Sequence, residues 1–216
     1  MMKYSVVIPC AGIGRRMNLG FNKMLYQMSN QKTVIENTVS IFINDNNCQE
    51  IILVCNQEDR ATIENMFTDQ RVQYANGGLT RQESVYHGLL NVTNEYVLIH
   101  DGARCYLKQE YINALLECLS THSACLLMVE LKDTIKVTNA GKVVKTLPRE
   151  SLMAAQTPQA FTTDLILQAY QRAQHDGFQA TDDVSLVEHY GLEDVYVVKG
   201  DYQNIKVTTI EDIKEI

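Results

Sequence analysis

The chain has 216 residues, of which 45% are hydrophobic and 21% are charged, and its formal net charge at pH 7 is -7. This length suits one domain with a single core, and the negative charge argues against a nucleic-acid partner, whose phosphates need a basic face. No stretch has the length of a membrane span and the chain starts without a signal-peptide pattern, so we expect a cytoplasmic protein that does not enter a membrane. Six scattered cysteines, with no C-x-x-C pair, predict neither a zinc site nor a disulfide framework.

Short apolar runs rich in β-branched residues alternate with segments of helical periodicity along most of the chain. Strands are predicted at 5–9, 50–55, 72–76, 96–100, 125–131 and 194–198. Helices are predicted around 34–42, 84–89, 112–119 and 166–173, where apolar residues recur on one face. Strand alternating with helix predicts an α/β fold with a mostly parallel sheet, in which ligands bind beyond the carboxyl ends of the strands. We expect one domain over residues 1–216.

Residues 133–148 interrupt this alternation. Two stretches of alternating character, 134–138 and 142–146, flank the turn Asn139-Ala140-Gly141, which is typical of a β-hairpin. The hairpin has too few apolar residues for a core of its own, and an isolated two-stranded ribbon is marginal in water. We expect it to pack against a second subunit, and the alternative is a hairpin folded back on its own domain.

The first predicted strand ends in a glycine loop, residues 10–17, with the sequence Cys-Ala-Gly-Ile-Gly-Arg-Arg-Met. Its two glycines let the backbone approach a ligand closely, and Arg15 and Arg16 add guanidinium groups suited to phosphate oxygens. The loop therefore predicts a polyphosphate receptor. The loop does not match the dinucleotide fingerprint, which needs a glycine at position 17, where this chain has Met17. It does not match a P-loop either, because no Gly-Lys-Ser/Thr follows at the required offset. A plain turn between a strand and a helix is the alternative.

A second motif, residues 100–104, follows the fourth predicted strand and reads His-Asp-Gly-Ala-Arg. An aspartate at the tip of a central strand, opposite a polyphosphate loop, suits Mg²⁺, which takes one or two carboxylates together with substrate phosphates. We predict Asp101 as the metal ligand, and the alternative is a turn-capping aspartate. We expect His100 to be a packed residue rather than a base.

Two further groups of residues suit small ligands. Gly77 and Gly78 permit close approach to a base or a ribose, with Arg81 and Ser84 as side-chain contacts. Later in the chain, a hydroxyl and two cations would grip a phosphomonoester if the fold gathers them: Thr157, Arg149 and Lys206. Residues 181–183, Thr-Asp-Asp, favour a helix N-cap.

Together these motifs resemble one family, the 2-C-methyl-D-erythritol 4-phosphate cytidylyltransferases of the non-mevalonate isoprenoid pathway. The resemblance is carried, in order, by residues 11–17 with Lys23, Gly77-Gly78 with Arg81 and Ser84, 100–104, 132–134, 156–159, 181–183 and 204–208. It implies a Rossmann-like three-layer nucleotidyltransferase fold with a protruding β-hairpin arm that clasps a homodimer. It also implies the reaction of CTP with the polyol phosphate to give the cytidyl diphosphate product and pyrophosphate.

The resemblance further implies a role for each site residue. The triphosphate would be held by Ala11, Gly12, Gly14, Arg15, Arg16 and Lys23, and the cytidine by Gly78 and Ser84. Asp101 would hold Mg²⁺ or another hard divalent cation. Thr134, Arg149, Thr157 and Lys206 would surround methylerythritol phosphate, with Thr134 and Arg149 supplied across the dimer interface. We expect Arg15, Lys23 and Lys206 to be the catalytic cations.

The chain departs from the family's usual pattern at three positions. Leu79 stands where Asp is frequent, Cys105 where Pro is usual, and Cys10 where a small residue such as Ala is usual. None of these changes removes a cation or the metal carboxylate, so we expect activity to survive. Two alternatives stay open: a ribitol-5-phosphate cytidylyltransferase of teichoic acid synthesis, which is a sister family with the same loops, and a catalytically silent nucleotide-binding module.

Overall fold

A computed structural model describes residues 2–12, 20–209 and 212 of the chain. Strands and helices alternate over most of its length, which confirms the predicted α/β class. In chain order the elements are β1 (Tyr4–Pro9), α1 (Val34–Ile43), β2 (Cys48–Cys55), α2 (Gln57–Glu64), β3 (Val72–Asn76), α3 (Arg81–Leu89), β4 (Tyr96–Ile99), α4 (Gln109–Leu119), β5 (Ala124–Glu130), β6 (Lys136–Asn139), β7 (Lys142–Thr146), β8 (Met153–Thr162), α5 (Thr163–Asp176), α6 (Val184–His189) and β9 (Tyr196–Lys199). Among the described residues, no helix combines the length and the apolar character needed to cross a membrane.

The main sheet has seven strands in the order β3-β2-β1-β4-β8-β5-β9. The pairs β1–β2, β1–β4, β2–β3 and β5–β9 are parallel, whereas β8 runs antiparallel to both β4 and β5. The sheet is therefore mostly parallel, as predicted. The chain moves outward from β1 to β2 and β3 on one side and then returns to place β4 on the other, so the strand order reverses between β1 and β4.

Helices cover both faces of this sheet because its strands are apolar on both sides. Side chains alternate along β1, so that Val6 and Ile8 pack in one core with α1 and α4, while Val7 packs in the other with α3 and α5. The result is the predicted three-layer arrangement. Ligand-binding loops are left at the carboxyl ends of the strands.

Strand β8 is an element that the sequence does not predict. Polar residues and Pro158 interrupt its apolar pattern, and proline in a central strand normally argues against a strand. Here the pairing of β8 with β5 shifts register between Leu126 and Met128, close to where the pairing with β4 ends at Gln159. Such an irregularity lets a proline sit in the sheet, because that stretch of the ladder needs no amide hydrogen.

The hairpin predicted at 133–148 is present as β6 and β7, which pair antiparallel in a sheet separate from the main one. We call this element the β-arm. Val143 and Val144 on the β-arm are 64% and 61% exposed. Both side chains therefore lie outside the core of this chain.

Candidate active site

A cleft of about 630 Å³ opens at the carboxyl ends of β1 and β4, where the strand order reverses. This volume lies in the range of small-ligand sites, and this position is where open α/β sheets bind their ligands. Most of the predicted site residues line it, although they come from distant parts of the sequence: Ala11, Gly12, Lys23, Gly78, Arg81, Ser84, Asp101 and Lys206. Gly14, Arg15 and Arg16 lie outside the described residues.

Asp101 lies in the cleft between two cationic side chains, those of Arg81 and Lys206. Its Oδ1 accepts a hydrogen bond from Arg81 Nε at 3.1 Å, and its Oδ2 lies 2.6 Å from Lys206 Nζ. Burial alone would raise the pKa of the Asp101 carboxyl, but Arg81 and Lys206 outweigh that effect and hold the pKa well below its ordinary value. Asp101 is therefore a carboxylate at neutral pH.

A buried hydrogen-bond chain fixes the backbone of Asp101 from behind. The Asp101 amide donates to Thr157 Oγ1 at 3.0 Å, and Thr157 Oγ1 lies 3.2 Å from His100 Nδ1. His100 Nε2 lies 3.0 Å from the Arg104 carbonyl, which can act only as an acceptor, so Nε2 carries the proton. Burial lowers the pKa of His100 to about 4. The structure confirms the prediction that His100 is a packed residue. Thr157 accepts the Asp101 amide and is not among the residues that line the cleft.

Lys23 connects the cleft wall after β1 to the segment that carries Lys206. Its ammonium group donates to the Val207 carbonyl at 2.7 Å, and the Val207 amide donates to the Ala103 carbonyl at 2.8 Å. Asn204, which is fully buried, donates from Nδ2 to the Thr157 carbonyl at 2.9 Å. These bonds hold Lys206 over Asp101, so the positions of the two lysines are coupled.

The Gly77-Gly78 turn approaches the glycine loop closely. A Cβ added at Gly77 would lie 2.5 Å from Ala11 Cβ, so only glycine fits there. The Gly78 amide donates to Ser84 Oγ at 3.0 Å, and that hydroxyl in turn donates to the Thr80 carbonyl at 2.8 Å. Ser84 thus shapes the turn in addition to lining the cleft.

Arg81 lines the cleft and also makes a contact that the sequence does not predict. Its guanidinium group binds both oxygens of Asp183, from Nη1 at 3.0 Å and from Nη2 at 2.8 Å. In the segment predicted as a helix N-cap, Asp183 is the N-cap residue of α6 but its side chain makes no capping bond, whereas Asp182, one residue earlier, accepts the Ser185 amide at 3.2 Å. Asp183 is instead fully buried against Arg81, and sequence reasoning missed this role.

Two predicted substrate contacts lie away from the cleft. Thr134 and Arg149 are exposed on either side of the β-arm, and Arg149 Nη1 donates to the Lys132 carbonyl at 3.0 Å. Neither residue is among those that line the cleft of this chain. Both residues lie at the base of the β-arm, Thr134 before β6 and Arg149 after β7.

The three departures from the family pattern leave the cations in place. Leu79 is 97% exposed at the rim of the cleft. Cys10 is buried, its thiol lies 3.4 Å from Cys55 Sγ, and it is not among the residues that line the cleft. Cys105 is half-buried.

Asp101 suits a divalent cation that is shared with a substrate. In the part of the chain that the structure describes, no group of three or more histidine, cysteine or acidic residues could form an all-protein metal site. A single ionised carboxylate in a cleft is instead a donor set that Mg²⁺ uses when substrate phosphates and waters complete its coordination. The residues present therefore fit Mg²⁺ bound together with a nucleotide.

Fold and cleft together define an α/β nucleotidyltransferase. The crystal structure of 4-diphosphocytidyl-2C-methyl-D-erythritol synthase from Anaerococcus prevotii superposes with a TM-score of 0.88 at 33% identity, covering 99% of this chain and 94% of that one. The crystal structure of 2-C-methyl-D-erythritol 4-phosphate cytidylyltransferase (IspD) from Francisella tularensis superposes with a TM-score of 0.87 at 29% identity, covering 99% of this chain and 97% of that one.

Sequence comparison narrows this class to one family. The profile of IspD, 2-C-methyl-D-erythritol 4-phosphate cytidylyltransferase, matches residues 4–215. The protein of that name from Bacillus pumilus is 42% identical over an alignment of 217 positions, and the alignment covers 98% of this chain and 94% of the relative. The chain belongs to the 2-C-methyl-D-erythritol 4-phosphate cytidylyltransferase family.

Proposed function

We propose that the chain transfers the cytidylyl group of CTP to 2-C-methyl-D-erythritol 4-phosphate and releases pyrophosphate, a step of isoprenoid precursor synthesis. Its family membership supports this reaction. The observation that carries the proposal is the meeting of Gly12, Lys23, Asp101 and Lys206 around one cleft. Such a cluster combines an anion receptor with an ionised carboxylate, as the joining of two phosphorylated substrates requires.

In this reaction a phosphate oxygen of the acceptor attacks the α-phosphorus of CTP, and the bond from that phosphorus to the pyrophosphate oxygen breaks. The attacking oxygen is already ionised, so the step needs no general base. Mg²⁺ held by Asp101 would supply charge neutralisation when bound. Lys23, together with Arg15, stabilises the charge that develops on the leaving pyrophosphate, and Lys206 orients the acceptor phosphate.

The β-arm completes the acceptor site in this proposal. Thr134 and Arg149 of one copy would reach the cleft of a second copy in a homodimer, because neither lines the cleft of its own chain. The exposed apolar residues of the β-arm support such a contact. Since its hydroxyl is engaged behind Asp101, Thr157 contributes by holding that carboxylate in position.

We also propose a cytoplasmic location and small anionic partners. The six cysteines are free thiols, as is usual in a reducing compartment. The net charge of -7 combined with a local group of cations supports small phosphorylated ligands over a nucleic acid.

A pyrophosphate-release assay tests the function and its rivals together. CTP is offered with methylerythritol phosphate or with ribitol 5-phosphate, and the Asp101→Asn variant serves as the matched control. We expect release with methylerythritol phosphate and its loss in the variant. Faster release with ribitol 5-phosphate would assign the chain to the teichoic acid reaction, and no release with either acceptor would favour the silent nucleotide-binding module.

A further inference from the structure

We propose that Asp183 is a positioning residue for cytidylyl transfer, which fixes Arg81 and thereby keeps Asp101 available for a divalent cation. The inference rests on the proposed function of the cleft. It assigns to Arg81 a part in preparing the metal carboxylate rather than in reading the nucleotide base.

The geometry that carries this inference is a row of four alternating charges. Asp183 binds Arg81, Arg81 binds Asp101, and Asp101 binds Lys206. Asp183 is 0% exposed at one end of the row, and the Lys206 side chain is 37% exposed at the other. The row therefore runs from the interior of the protein into the open cleft, with Asp101 as the anion that a ligand meets.

Asp183 is itself held rigidly. Its Oδ1 accepts a hydrogen bond of 2.5 Å from the Tyr170 hydroxyl as well as the bond from Arg81 Nη1. Its backbone amide donates to Gln159 Oε1 at 2.9 Å. A carboxylate fixed in this way sets the plane of the guanidinium group, because a forked pair of hydrogen bonds leaves little freedom of rotation. Arg81 Nε is then directed at Asp101 before any ligand binds.

Asp183 also balances the charge of Arg81. An arginine beside Asp101 with no second anion would form a tight ion pair with that carboxylate and compete with a divalent cation for it. Because Asp183 takes two of the guanidinium nitrogens, Arg81 gives Asp101 a single contact at 3.1 Å. Removing the charge of Asp183 should therefore weaken cation binding at Asp101, although Asp183 does not touch the cation.

The test is the Asp183→Asn variant, with Mn²⁺ as the probe ion. Mn²⁺ binding is measured by electron paramagnetic resonance in the presence of CTP and without acceptor, so that no turnover is needed. We expect Mn²⁺ affinity to fall about 10- to 100-fold, the usual effect of residues that orient metal ligands. The concentration of Mg²⁺ needed for half-maximal pyrophosphate release should rise in parallel.

Tyr170→Phe is the matched control, because it removes a hydrogen bond from the same carboxylate and leaves every charge in place. It should lower thermal stability, and because the charge of Asp183 stays in place it should reduce Mn²⁺ affinity far less than Asp183→Asn does. Equal losses of Mn²⁺ affinity in both variants would show a merely structural role and overturn the proposal. Wild-type Mn²⁺ affinity in Asp183→Asn would overturn it as well.

A double variant shows whether Asp183 acts through Arg81. Arg81→Met alone leaves a buried carboxylate unpaired, which destabilises the fold, whereas Arg81→Met with Asp183→Asn restores neutrality. Without Arg81 no guanidinium group competes for Asp101, so we expect the double variant to fold and to bind Mn²⁺ more tightly than Asp183→Asn does; equal Mn²⁺ affinities of these two variants would contradict the inference. If the wild-type chain failed to release pyrophosphate, the proposed function would fall, while the Mn²⁺ titration would still report on Asp183.

Discussion

Lys23→Met tests how strongly one buried cation drives the reaction. Lys23 is 9% exposed, lines the cleft and donates to the Val207 carbonyl at 2.7 Å. Methionine keeps the length of the side chain and removes both its charge and this hydrogen bond. Loss of one positioned donor to a developing charge costs about 2 to 4 kcal/mol of transition-state stabilisation. Turnover should therefore fall roughly 30- to 1,000-fold.

The assay is a rapid-quench single turnover with CTP in excess over its dissociation constant, combined with a direct measurement of methylerythritol phosphate binding. Turnover should fall more than acceptor binding, since the proposed function assigns Lys23 to the leaving pyrophosphate and not to the acceptor. Lys32→Met, at an exposed lysine that does not line the cleft, is the control for loss of a positive charge and should behave like the wild type. A single-turnover rate near that of the wild type in folded Lys23→Met would refute the role of Lys23.

Three further variants test the fold, the nucleotide turn and the β-arm. Burial alone would raise the pKa of the Glu50 carboxyl, but hydrogen bonds from Ser5 and Thr93 outweigh burial, so the pKa lies below its ordinary value of 4.5. Glu50→Gln should thus lose about 1.5 to 3 kcal/mol of unfolding free energy near neutral pH. A lowered pKa stabilises the fold fully only at pH values above the pKa of the unfolded chain. The difference in unfolding free energy between the wild type and Glu50→Gln, measured with urea, should therefore become smaller as the pH falls below about 4.5. A difference that does not change with pH would contradict this prediction. Gly78→Ala places a Cβ where a glutamate side chain of α3 now lies, so steady-state kinetics should show a higher KM for CTP, and an unchanged KM would count against the turn as a nucleotide contact. Val144→Glu puts a charge on an exposed apolar position of the β-arm, and analytical ultracentrifugation should show fewer dimers with a matching loss of activity, whereas an unchanged dimer would exclude the β-arm as the contact.

Much of the site could be predicted from the sequence because parallel strands bring their carboxyl ends to one edge of a sheet. Gly12 follows β1 and Asp101 follows β4, and these strands are neighbours. Once the alternation of strands and helices is recognised, the loops that follow the parallel strands are expected at one edge of the sheet. The resemblance of the motifs to one family then adds Lys23 and Lys206, which no periodicity places in the cleft.

The parts that were missed depend on contacts between residues far apart in the chain. Asp183 and Arg81 are 102 positions apart, and the local pattern around Asp183 predicts a cap just as well as an ion pair. The sequence predicts Thr157 as a substrate contact because its hydroxyl is a suitable ligand. In the structure β8 places that hydroxyl where it accepts the backbone amide of Asp101. Strand β8 was itself missed because its polar residues are satisfied by tertiary hydrogen bonds, which a one-dimensional pattern does not contain.

The most direct test of the account is a crystal structure of the protein with CTP and Mg²⁺ bound. We predict that the triphosphate lies against Gly12 and Lys23, and that the cation bridges it to Asp101. A triphosphate bound at a distance from Gly12 and Asp101 would contradict the assignment of this cleft as the site of cytidylyl transfer.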